Sequence, residues 1–157
     1  MASLALLELM LLLLVVGLLV WALGAGRSLP QAQSEQAHRL ELALAEIHRQ
    51  GQRLPQLSKA LKQVRQYGRD LRQLLLQMAE LERYLAKPGL EAPTRDRLQQ
   101  RLHQLEQGFL RGVAYLERLG AELMLVSGAQ EPPALIEFPQ FLIELREVLH
   151  PAAPHQG

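Results

Sequence analysis

The run 4-LALLELMLLLLVVGLLVWALGAG-26 decides how the rest of the chain is read. From Leu9 to Gly26 it holds no charged side chain, and Leu4 to Ala25 contains eleven leucines and three valines. About 22 residues at ~1.5 Å rise each make roughly 33 Å of helix. A hydrocarbon core is about 30 Å thick. At about 0.3–0.6 kcal/mol each, these leucines and valines favour insertion by roughly 4–8 kcal/mol. Glu8 is the one opposing group, and near the helix end its carboxylate reaches water and the positive helix N-terminus. The reading is an uncleaved transmembrane anchor over 1–26.

The alternative is a secreted helical protein with a cleaved signal peptide. Ala22, Gly24, Ala25 and Gly26 offer small residues for cleavage. A secretory signal wants a positive n-region and an apolar core of about 7–15 residues. Here no Lys or Arg precedes Arg27, and the run is longer. Ala22 and Gly26 also form a small-xxx-small pair of the kind that lets spans pack closely. Arg27 and Arg39 follow the run and no basic residue precedes it, so the positive-inside bias places the bulk of the chain in the cytoplasm. Glu35 and Glu41 partly offset that bias, and a periplasmic bulk is the alternative. Arginine far outnumbers lysine, which points to a GC-rich bacterial source and hence to a bacterial inner membrane.

After the anchor the chain is rich in Leu, Gln, Arg, Ala and Glu, mostly good helix formers. Val, Ile and Thr are few and do not alternate, so a sheet has no support. Aromatics are 4% of residues, which argues against a large aromatic-filled core or pocket. There is no cysteine, hence no disulfide and no thiolate metal site. Net charge is +1.

The expected fold is all-α. Residues 27–33 read as a linker interrupted by Pro30, and 34–150 as one helical domain. Ser34 is a candidate N-cap for a helix over 35–50, which Gly51 ends. Pro55 opens a second helix to residue 87, Thr94 caps a third to 127, and Pro139 opens a fourth to 150. The segment 151–157 reads as a disordered tail.

Two of these helices carry apolar seams. Leu57, Leu61, Val64, Gly68, Leu71, Leu75, Met78, Glu82 and Leu85 step by four and three, the a/d spacing of a coiled coil. Leu98, Leu102, Leu105, Phe109, Gly112, Leu116, Leu119, Leu123 and Val126 do the same. About seven residues join them, so they are expected to fold into an antiparallel hairpin. Leu75, Met78, Leu85, Phe109, Leu116 and Leu123 are the expected packing positions. Gly68 and Gly112 fall equally far from the turn near residue 90. They leave either a close approach of the two helices or a gap for a third. The flanking helices are amphipathic, and Phe141, Leu142 and Leu145 on the last one cover the hairpin or form a docking surface.

One charge feature stands out between Arg49 and Arg72, where seven basic residues meet a single acid, Asp70. Lys62, Arg65, Arg69 and Arg72 form one helical stripe, a candidate site for anionic lipid or nucleic acid. Each also lies one position past a seam residue, where a coiled coil places charges that pair with a facing helix. Glu106, Glu117 and Glu122 are the acids expected to meet them. Tyr67 stands alone, so a base-stacking surface is missing and nucleic acid is disfavoured.

No two of the five histidines lie three or four residues apart, and no metal, phosphate-loop or nucleophile motif occurs. No catalytic residue, cofactor or metal is expected, and an enzyme is the least supported class. The leading expectation is a membrane-anchored scaffold that positions a protein partner or self-associates as a homo-oligomer at the bilayer.

Overall fold

The computed structural model describes residues 2–25, 31–128 and 130–151, with side chains described over 4–19, 33–128 and 130–151. Five helices account for these residues: α1 Ala2–Ala25, α2 Gln31–Gln52, α3 Ser58–Leu85, α4 Ala92–Leu125 and α5 Pro133–Leu149, with a 3-10 turn Pro55–Leu57 leading into α3. No strand occurs among the described residues. Part of the expected linker (27–30), Gly26 of the small-residue pair and tail residues 152–157 lie outside the described residues. The chain divides into two compact units, Met1–Ala32 and Gln33–Gly157.

In the first unit, the large apolar side chains described on α1, from Leu4 to Leu19, are all exposed, from 49% at Val16 to 72% at Leu4. Among the described residues no helix is long and apolar enough to cross a membrane. The structure therefore shows a helix for this stretch, and not a crossing.

In the second unit, α3 and α4 form the antiparallel pair on which the others lie. Their seams are buried at Leu61, Val64, Leu71, Leu75 and Met78 and at Leu105, Phe109, Leu116, Leu119 and Leu123. Toward the turn that joins them the seam opens: Leu85, Leu98 and Leu102 are half-buried. Gly89, at φ +90°, supplies the left-handed residue that this turn requires.

α2 fills one groove of the pair. Leu44 reaches toward Gly68, Ile47 and Glu46 lie over Gly120, and Gly51 faces Leu61. Along α2 the α3 partners fall in number while the α4 partner numbers rise, so α2 is antiparallel to α3. α5 fills the opposite groove. Ala134 and Phe141 meet Tyr115, and Val148 meets Gly108, so α5 runs antiparallel to α4. The result is an up-down-up-down four-helix unit with short connections.

The boundaries differ from the sequence reading at their ends. α2 begins at Gln31, so Ser34 lies inside the helix rather than capping it, and helix replaces linker at 31–33. α4 begins at Ala92 with Glu91 as its cap, which puts Thr94 in the first turn. α5 begins at Pro133, not Pro139. Pro133 suits the first helical position because its missing N–H has no partner there anyway. Pro139 is carried inside the helix at the cost of the bond its nitrogen would have donated.

Candidate functional surfaces

Burial on α3 and α4 extends beyond the two seams. Tyr67, Leu74 and Ala79, and Val113, Tyr115 and Gly120, are also buried. They lie beside the seam, where α2 and α5 cover them. Leu75, Met78, Phe109, Leu116 and Leu123 sit at the centre of this packing, and Leu85 sits at its frayed edge. The two seam glycines play different parts. Gly68 makes room for Leu44 of α2, and Gly112 makes room for Leu71 and the Tyr67 hydroxyl of α3. A third helix therefore occupies the space at Gly68.

Phe141, Leu142 and Leu145 face the hairpin. Leu145 is buried, while Phe141 and Leu142 are half-buried against the core. They cover the hairpin and are not an exposed docking surface. The reason is an aromatic cluster that composition did not announce. Phe141 stacks on Tyr115 with centroids 4.3 Å apart, and Phe138 meets Tyr67 edge-on at 5.7 Å. Tyr67 and Tyr115 meet edge-on at 5.8 Å. Tyr67 thus does not stand alone: four of the few aromatics converge where α5 seats. The available signal was positional, since Tyr67 and Tyr115 each precede a seam residue and Phe138 and Phe141 are three apart.

Polar contacts hold the same seat. The Tyr115 hydroxyl donates to the Ala134 carbonyl at 2.8 Å, and the Ala134 N–H donates to Glu122 Oε2 at 2.7 Å. Arg111 pairs with Glu144 and Arg118 with Glu137, and both guanidinium groups lie within 6 Å of the Phe141 ring. Burial pushes the Tyr67 phenol well above its usual range, helped by the Glu144 carboxylate and opposed by Arg111. Burial raises Tyr115 in the same way, with Tyr67 adding to it. A groove of about 740 Å³ runs beside this seat, lined by Tyr67, Arg101, Arg111, Phe141 and Glu144 among others. Its arginines are already engaged, Arg101 by the Val148 carbonyl at 2.7 Å and Arg111 by Glu144. It brings together no nucleophile and base. Among the described residues no group of three His, Asp or Glu could hold a metal.

The basic stripe divides. Lys62, Arg65, Arg69 and Arg72 are all exposed on α3. Arg72 crosses to α2 and makes a two-point contact with Glu41, at 2.6 and 2.8 Å. This contact holds the Arg72 guanidinium more firmly protonated than usual. Arg69 donates a hydrogen bond to Gln66 Oε1 at 3.0 Å. Among the described residues, Lys62 and Arg65 have no carboxylate partner. Two of the three acids expected to face the stripe are engaged elsewhere: Glu117 pairs with Arg39 of α2, and Glu122 holds the start of α5. They point away because α4 presents those positions to α2 and α5, not to the outer side of α3.

No family model, no curated protein and no solved structure matches this chain.

Proposed function

We propose that the chain is a membrane-tethered helical interaction module, in which the N-terminal apolar segment holds the four-helix unit at a bilayer for a partner or a second copy. One observation carries this reading: α1 bears exposed leucines on every side. A helix apolar all round is stable only inside a large core or in lipid. The sequence extends the run past the described side chains to Gly26 and makes it long enough for a bilayer. The basic residues that follow it favour a cytoplasmic position for the four-helix unit, at the inner membrane of a bacterium. On the four-helix unit, Ile136 and Ile143 are seven residues apart on α5 and both exposed, and they offer one apolar face for a protein partner.

The test is flotation of the full-length protein with membranes after an alkaline carbonate wash, together with its intact mass. The expected result is an unprocessed chain that stays with the lipid. Replacing Leu12 and Leu13 by arginine adds about 2.5–3.5 kcal/mol of insertion cost at each position and should release it. A wild-type chain recovered in the wash, or shortened by about 25 residues, would remove the tether.

A further inference from the structure

We propose that the α2–α3 face around Arg65 binds the phosphate headgroups of an anionic lipid surface. The proposal rests on the tether above, which supplies the bilayer. Lys62, Arg65 and Arg69 span about 10 Å along α3 and are exposed. Two of the acids near them are paired with other cations, Glu41 with Arg72 and Glu46 with Arg49, while Asp70 accepts only the Gln66 amide at 3.4 Å. Among the described residues these three cations form no salt bridge, and Asp70, bonded to the neutral Gln66 amide, offsets only one of them.

Two adjoining recesses share Arg65. One, of about 130 Å³, lies between α2 and α3 and is lined by His48, Gln52, Ser58 and Arg65, with no acid. The other, of about 360 Å³, is lined by Lys62, Gln63, Arg65, Gln66 and Arg69, again with no acid. A guanidinium fork meets a phosphate with two parallel hydrogen bonds, and the neighbouring glutamine amides can donate to its remaining oxygens. Lipid fits better than nucleic acid for a structural reason. Among the described residues the nearby aromatic, Tyr67, is buried under α5, so the face offers bases no stacking platform there. Three charges close to an anionic surface strengthen association on the order of a hundredfold, and salt weakens the effect.

The chain has no cysteine, so Ser58→Cys places a single environment-sensitive dye at the recess. The full-length protein is reconstituted into vesicles of phosphatidylcholine, with or without phosphatidylglycerol. The dye should report headgroup contact only in the anionic vesicles, and lose it in high salt. It should also lose it in a K62E/R65E/R69E variant and partly in K62Q/R65Q/R69Q, both with unchanged helical circular dichroism. An equal signal in both lipids, or an unchanged signal in the glutamate variant, overturns the proposal. So does a stronger response to single-stranded RNA than to anionic vesicles. Co-flotation in high salt reports the tether separately: a chain that floats with both lipids but shows no dye response loses only the headgroup site.

Discussion

Gly112 and Gly120 lie two turns apart on α4, and their surroundings set opposite expectations. A Cβ at Gly112 would stand 2.5 Å from Leu71 Cδ2 and 2.9 Å from the Tyr67 hydroxyl. Both neighbours are buried, so room for the methyl must come from shifts within the packed core. Overpacking of this kind costs about 1–3 kcal/mol, more than the ~1 kcal/mol that alanine gains over glycine in a helix. Gly112→Ala should therefore destabilise the four-helix unit. At Gly120 the nearest atom is Glu46 Cγ at 3.5 Å, an ordinary contact. Gly120→Ala should raise stability by up to about 1 kcal/mol. Chemical denaturation followed by circular dichroism measures both, and a shared sign would show the packing at Gly112 to be looser than described. The seam spacing marks Gly112 as a core position in the sequence. Which neighbour needs the room is not marked, because that depends on the offset between α3 and α4.

At the scale of helices, α5 depends most on one contact surface. It meets the hairpin through Phe138, Phe141 and Leu145 and through two arginine–glutamate pairs. Exposed pairs of this kind contribute less than about 1 kcal/mol each, so the aromatic seat carries the load. Phe141→Ala should cost about 2 kcal/mol, below the range for a fully buried phenylalanine because the ring is half-exposed. Hydrogen exchange should show α5 amides opening first while the centres of α3 and α4 stay protected. Uniform loss of protection would mean that α5 and the hairpin unfold together. The hairpin was readable from two uninterrupted four-three seams. The start of α5 was not, because Pro139 is the stronger-looking stop signal and only tertiary contacts make a proline inside that helix tolerable. The fate of the stripe was hidden for a related reason: a position beside a seam faces whichever helix packs there. Arg72 meets α2, while Arg65 and Lys62 meet solvent.

For the molecule as a whole, the all-helical class followed from composition and spacing. Four helices were also legible, but that both flanking helices pack on the hairpin shows only in the buried positions Leu74, Tyr67 and Val113 beside the seams. The two buried phenols give the four-helix unit a pH limit. Burial disfavours their ionised form, so their folded pKa values stand above the unfolded value of about 10. For groups raised in this way, the stability contribution is fully present below about pH 10 and is lost as pH climbs toward the folded values. Denaturation midpoints should hold up to that point and then fall, and Tyr115→Phe should soften the fall. A midpoint indifferent to pH above 10 would mean that the phenols ionise without unfolding.

The turns at Gly89 and Gly128 stand at opposite ends of α4, a helix of 34 residues. At ~1.5 Å per residue that is about 50 Å of rigid rod. A fluorophore at either turn belongs on a residue beside the glycine, because Gly89 and Gly128 hold a positive φ that a side chain would strain. Donor and acceptor placed there turn the helix into a built-in ruler, and a quencher dissolved in lipid would then test the proposed tether by showing whether one tip of the rod is quenched before the other.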